Sequence, residues 1–188
     1  LQEIRLLGLK DLPFCWGEIE ECGKDPLENA RQKALAYYRI CGQAVFSQDS
    51  GLYIEGLPKE RQPGVHVRRV NGVNLTDEQM RKYYKKIAAE LGGRRVAQYQ
   101  NAICLVFSEN EIYEARGGAL NWKKFWLMTE ERPQRMEGFP LDAICADYRT
   151  DRHFYDGEAT MPEEEGDGVR DFFRNALKQH EMRNKIEK

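Results

Sequence analysis

The order of signals along the chain predicts an α/β protein, and three stretches carry that reading. Asp25-Pro26-Leu27-Glu28 opens a helix, with Asp25 as N-cap, Pro26 at the first helical position and Glu28 three residues after the cap. Leu27, Ala30, Ala34 and Tyr37 or Tyr38 recur at helical spacing, so one face packs inward, and Cys41-Gly42 ends the helix. Thr76-Asp77-Glu78-Gln79 is a second capping box. It is followed by the stripe Met80, Tyr83, Tyr84, Ile87, Ala88 and Leu91, which reads as core, and by the stop Gly92-Gly93. Between and after these helices the pattern turns extended. Arg95–Phe107 is β-rich, and Ser108-Glu109-Asn110-Glu111 turns it into Ile112-Tyr113-Glu114 as a hairpin.

The remaining elements fall into place around those three. Ile4–Leu9 is a short apolar segment, a strand or a helix tail, running into a turn at Gly8–Pro13. Ala44–Phe46 is a strand that meets the polar tetrapeptide Gln48-Asp49-Ser50-Gly51 before alternation resumes at Leu52-Tyr53-Ile54. This predicts an acid and a hydroxyl delivered to a sharp turn, with Gly51 supplying the backbone freedom. Pro63-Gly64 reads as a turn that brings back His66, Arg68 and Arg69 in an extended segment. Such an acid with returning bases suits a divalent cation and a phosphorylated ligand; the plainer reading is a loop whose Asp and Ser cap a turn. Lys123–Met128 is a further strand. Its aromatic residues and the flanking Trp122 either line a base pocket or pack between elements, the second being favoured. A strand at Ile144–Ala146 and a closing helix from Phe172 complete the chain, with a charged tail expected to fray beyond His180. His153 and His180 are isolated and read as surface residues.

Composition removes several function classes. The 29 basic residues nearly balance the 31 acidic ones, which gives no basic surface for nucleic acid or a membrane. No apolar run has the length of a bilayer span, and no secretory signal is visible. The five cysteines are scattered and form no C-x-x-C pair, which argues against zinc and against a disulfide framework. Thiols in a reducing cytoplasm are the economical alternative. At 188 residues the chain suits one domain, or one domain of two lobes.

Two ordered motifs resemble the inosine triphosphate pyrophosphatase family. One is Asp49-Ser50-Gly51-Leu52, Gly56-Leu57, Pro63-Gly64-Val65, Arg68 or Arg69, and Gly72. The other, upstream, is Glu21-Cys22-Gly23, then Glu28-Asn29-Ala30 and Lys33-Ala34. The resemblance covers about the first half and weakens after Leu91. It implies an elongated, mixed, twisted sheet with flanking helices in two lobes around a central cleft. The whole of 1–188 would then be one domain with its second lobe over about 73–136. It implies Mg²⁺-dependent hydrolysis of noncanonical purine nucleoside triphosphates to monophosphate and pyrophosphate by a cytoplasmic homodimer. Asp49 would activate water and contact the metal, Glu28 would be the second metal ligand, and Ser50 would touch phosphate or sugar. His66, Arg68 and Arg69 would lie near the phosphates. Glu28 has a purely local alternative, as the capping glutamate of its helix.

The departures concern substrate grip and base choice. Gly138-Phe139-Pro140-Leu141-Asp142 stands where the family has Gly-Phe-Gly-Tyr-Asp, so Phe139 and Asp142 remain as base contacts while the tyrosine is gone. The family's late Ser-His-Arg is absent, with Arg170 or Arg174 as possible substitutes. Its first-strand Thr/Ser-x-Asn-x-x-Lys motif is also absent; the chain opens on Leu1, which suggests a start other than the native one, so the motif either lies upstream or is missing. The rival readings are a non-catalytic nucleotide-binding protein and the same chemistry on a different base.

Overall fold

The computed structural model describes residues 5–12, 17, 19–156 and 167–186. Its centre is one long strand, β4 (Arg94–Ser108), whose run of buried residues from Asn101 to Val106 marks it as interior on both faces. Along one side β4 pairs with β1 (Val45–Ile54), antiparallel and in unbroken register from Val45↔Val106 to Ile54↔Ala97. Its other side forks. β5 (Glu111–Arg116) takes the far end, from Ala102↔Arg116 to Ser108↔Glu111, and β6 (Phe125–Met128) takes the near end, from Arg94↔Met128 to Ala97↔Phe125. β7 (Cys145–Asp147) extends the sheet beyond β6. A separate two-stranded ribbon joins β2 (Arg69–Val70) to β3 (Val73–Asn74). All of these described pairings are antiparallel.

The gap in the fork is closed by side chains and a loop rather than by a ladder. Trp122 N–H donates to Tyr99 O at 3.1 Å, and Gly117 N–H donates to Asn101 O at 3.0 Å. Gln98 Nε2 donates to Trp122 O at 2.8 Å, and the Asn101 amide donates to Asn121 Oδ1 at 3.0 Å. These bonds satisfy the Tyr99 and Asn101 carbonyls and the Asn101 amide of β4, which have no strand beside them.

Strand alternation assigns the two faces. Val45, Ser47 and Asp49 lie over Val106, Cys104 and Ala102 and face α1 (Pro26–Cys41). There Ala30 and Ala34 let the helix come close to Cys104 and Val106 in a small apolar cluster. Burial pushes the Cys104 thiol up to about 12, so it stays a neutral apolar group. On the opposite face Leu52 and Ile54 join Ala97, Phe125 and Leu127 beneath Met80, Tyr84, Ile87 and Ala88 of α2 (Asp77–Glu90). Further along that face lies α3 (Asp167–Ile186), with Phe173 edge-on to Phe46 at 5.0 Å and His180 stacked on Phe107 at 3.8 Å.

The local signals account for the helix ends. The Asp25 side chain accepts from the Leu27 and Glu28 amides, Pro26 is the first helical residue, and Gly42 ends α1 at φ 64°. The capping box at Thr76 and Gln79 is formed in full.

Four expectations are corrected. Gln48–Gly51 is not a turn: β1 runs straight through it, because Gln100–Ile103 supply the pairing. Gly51 is needed instead for close approach, since a Cβ there would sit 3.1 Å from the Gly64 carbonyl carbon and from the Tyr53 ring. His153 is only 4% exposed. His180 is part-buried, with Nδ1 2.9 Å from Glu111 Oε1. The expected fraying beyond His180 is likewise replaced by helix, which continues to Ile186. Among the described residues no helix is long and apolar enough to cross a membrane.

Candidate active site

Asp49 sits in the middle of β1, on the face under α1, and both of its carboxylate oxygens are engaged. Lys33 Nζ donates to Oδ1 at 2.8 Å and Asn29 Nδ2 donates to Oδ2 at 3.2 Å. Asn29 and Lys33 lie one turn apart on α1 and so share a face, alongside Ala30 and Ala34. They are the polar members of the inward stripe.

The segment before α1 is tied to the same helix. Gly23 N–H donates to Asn29 Oδ1 at 2.8 Å, and Cys22 N–H donates to Gln32 Oε1 at 3.3 Å. This places the Glu21 carboxylate 3.0 Å from Lys33 Nζ. One ammonium therefore joins two carboxylates that lie 28 positions apart in the chain (21 and 49). The side chains of Lys33 and Asp49 are 19% and 13% exposed, whereas that of Glu21 is 43% exposed. The site thus has a sheltered floor and an open rim. Burial alone would lower the Lys33 pKa, but the hydrogen bonds that its ammonium donates to Asp49 and Glu21 outweigh it and hold the lysine above its ordinary value.

Gly23 is held tightly in this arrangement. A Cβ there would meet Asn29 Oδ1 at 2.4 Å and the Asn29 backbone nitrogen at 2.8 Å. Gly23→Ala is expected to push the segment off α1 and cost about 1–3 kcal/mol, with Glu21 displaced from Lys33. A thermal melt together with a turnover assay checks this, and an unchanged melting temperature would show that the contact relaxes freely.

Glu28 does not join the cluster. It is exposed, and its Oε2 accepts from the Lys24 amide at 2.7 Å, a local contact at the head of α1. Arg68 is engaged by Leu75 O at 3.0 Å and by Asp77 at 2.8 Å, and Arg69 reaches Asn74 at 3.4 Å. Both arginines thus brace the β2–β3 ribbon and the start of α2. His66 is exposed on a turn closed by Pro63 O. Ser50 points to the other face of β1, where its hydroxyl donates to Asn101 Oδ1 at 2.8 Å.

The 138–142 loop is shaped by Gly138 at φ 84°. Phe139 is 49% exposed, while Leu141 is buried in the core with Ile144. Burial raises the pKa of the Asp142 carboxyl beside it. Trp126 packs against Tyr148 at 5.1 Å with Arg94 over its ring at 4.2 Å, so packing accounts for that indole, whereas Trp122 meets Tyr99 edge-on at 5.9 Å and stays 52% exposed. Arg174 is paired with Asp171. Much of the acidic stretch before α3 lies outside the described residues.

The residues suit a hard divalent cation. Glu21, Asp49 and Lys33 sum to one negative charge, and two carboxylates leave most of a magnesium shell to water and phosphate oxygens, as that ion prefers. Among the described residues no group of three or more His, Cys, Asp or Glu side chains forms a closed metal cage.

An antiparallel sheet flanked by helices, with an acid–lysine–acid cluster between α1, β1 and the segment before α1, defines a class of α/β protein with a charged candidate site. The comparisons make that class specific. The profile of the Ham1 family matches residues 1–121, and the chain belongs to that family. A protein of Prochlorococcus marinus named dITP/XTP pyrophosphatase is 32% identical over 129 residues, 68% of this chain and 59% of its own. One of the same name from Elusimicrobium minutum is 36% identical over 120 residues, 63% of this chain and 59% of its own. The chain therefore spans 59% of the length of these relatives. Among solved structures, the nucleoside-triphosphatase / dITP/XTP pyrophosphatase of Mycobacterium abscessus superposes with a TM-score of 0.63 at 25% identity, covering 94% of this chain and 84% of that one. A HAM1 protein from Coxiella burnetii gives 0.62 at 23% identity, covering 92% and 89%, and supports the fold alone.

Proposed function

We propose that this chain hydrolyses noncanonical purine nucleoside triphosphates of the ITP, dITP and XTP type to the monophosphate and pyrophosphate, with Mg²⁺ as cofactor. The observation that carries the reading is Lys33 held between Asp49 and Glu21 at 2.8 and 3.0 Å, in a chain whose relatives are named for that activity. Water attacks the α-phosphorus, the bond from that phosphorus to the α–β bridging oxygen breaks, and the electron pair leaves with pyrophosphate. Such chemistry needs positioning and charge neutralisation more than a covalent nucleophile. When bound, the cation supplies charge neutralisation on the phosphates.

In this reading Asp49 orients the attacking water and takes its proton. Asn29 and Lys33 fix the Asp49 carboxylate, and Lys33 faces the phosphates as a fixed positive charge. Glu21, on the open rim, replaces Glu28 as the second carboxylate for the cation. Phe139 offers a ring for the base and Asp142 a polar edge. His66, Arg68 and Arg69 act at most through the outer field. A cytoplasmic homodimer belongs to the same reading on the family resemblance alone.

The test pairs two glutamates. Glu21→Gln is expected to lower kcat/KM for dITP by about 100-fold and to raise the Mg²⁺ needed for half-maximal rate. Glu28→Gln is expected to stay within about twofold, as an exposed substitution near a helix start does. The reverse pattern in pyrophosphate release would return the metal role to Glu28. A panel of ITP, dITP, XTP, GTP and ATP, with and without Mg²⁺, reads the base preference. Pro140 and Leu141, in place of the glycine and tyrosine of the family loop, favour a second reading, a binding protein. Nucleotide binding without turnover in that panel would establish it.

A further inference from the structure

His153 is held in a place that suits only its neutral form. It is buried, and neither ring nitrogen has a hydrogen-bond partner among the described residues. The ring lies nearly parallel to that of Tyr155 at 6.3 Å, and the Tyr155 hydroxyl is likewise buried and unpartnered. A neutral imidazole in such a place leaves one donor and one acceptor unmet. An imidazolium would bury two donors and a charge, at a far larger cost.

The charges around the ring are unevenly matched. Arg132 chelates Asp156 at 2.9 and 2.6 Å and also pairs with Glu130, so one guanidinium serves two carboxylates. Arg132 disfavours a charge on the ring, while Asp156 and Glu130 favour one. The Ala143 carbonyl favours it too, but already accepts the Arg132 amide at 2.8 Å. Burial is the largest influence and, with Arg132, keeps the pKa of the ring below the ordinary 6.5. Asp156 and Glu130 are both exposed, so a charged ring turned toward them would gain acceptors and water.

The chain held down by this residue is the return over the last strand. His153 bridges Ala146 of β7, Phe154 N–H donates to Cys145 O at 3.1 Å, and Asp147 N–H donates to Arg152 O at 2.8 Å. β7 ends the sheet, and the return covers its outer edge. We infer that His153 is an acid-operated latch: protonation drives the ring out of its buried place toward Asp156 and Glu130 and releases residues 148–156 from β7. Linkage fixes the direction. With the folded value below 6.5, the closed return has its full stability above 6.5 and loses it as pH falls from there to the folded value.

Amide hydrogen exchange, corrected for the intrinsic effect of pH on the exchange rate, tests the latch between about pH 7.5 and about pH 5. Protection of peptides spanning 145–156 should fall about tenfold or more over that range, since one pKa unit is tenfold in the opening equilibrium. Peptides of α2 should keep theirs. His153→Phe, which retains a buried ring that cannot titrate, should hold the protection of 145–156 constant. Glu130→Gln, an exposed change that removes one of the receiving carboxylates, should need a lower pH for the same loss. An equal loss in His153→Phe and the unsubstituted protein would overturn the inference, as would protection that does not respond to pH. Should His153→Phe fail to fold, an unshifted midpoint in Glu130→Gln would overturn it as well.

Discussion

Asp49→Asn is expected to reduce pyrophosphate release from dITP by about 1,000-fold while leaving the fold intact. Two losses combine. The negative charge that draws the cation and accepts the water proton disappears. The hydrogen-bond pattern also fails locally, because Lys33 Nζ and Asn29 Nδ2 both donate to this side chain and an amide offers only one accepting end. Asn29 cannot simply turn over, since its Oδ1 holds the Gly23 amide at 2.8 Å. The stability change should stay near 1–2 kcal/mol, the scale of one lost charge-assisted hydrogen bond. Turnover within tenfold of the unsubstituted protein, at a matching melting temperature, would remove Asp49 from the chemistry.

Lys33→Met should fail for a different reason, with a loss of about 100-fold or more in kcat/KM and a clear loss of stability. It leaves Asp49, 13% exposed, without its cation, a change of about 2–4 kcal/mol where a sheltered charge loses its partner. The pH dependence gives a separate signature. The folded-state pKa of Lys33 is raised above the ordinary 10.5. Its contribution to stability is therefore full below 10.5 and is lost as pH rises through the higher folded value. The gap in melting temperature between the unsubstituted protein and Lys33→Met should accordingly be constant at neutral pH and shrink in strong alkali. A gap that widens with pH would mean that the lysine is not held by the carboxylates.

Local grammar made much of this architecture legible. Asp25-Pro26 and Gly42 mark the ends of α1, Thr76 and Gln79 mark the start of α2, and the β4–β5 hairpin follows from its turn residues. Failures came where a distant partner decides. Gln48–Gly51 has turn composition but is a strand, because Gln100–Ile103 lie alongside it. Glu28, by contrast, stands in a family-like motif and also in a capping position, and its contact here is a local one, to the Lys24 amide. Glu21 acquires its place only when Asn29 and Gln32 hold Gly23 and Cys22. The available signal was the pair Asn29 and Lys33, polar residues at i and i+4 within an otherwise small, apolar helix stripe. His153 looked solitary in sequence, and burial reflects its pairing with Ala146 beside the core.

The unbroken register of β1 along β4 has a mechanical consequence. Hinges are loop or element-terminal positions that absorb large backbone rotations, and neither strand offers one between Val45↔Val106 and Ile54↔Ala97. The pair works as a continuous beam under both the acid–lysine site and the α2 core, so bending between them must be spread as small changes of twist over many residues. The floor of the acid–lysine site then has its shape set in advance, in the manner of a fixed gauge.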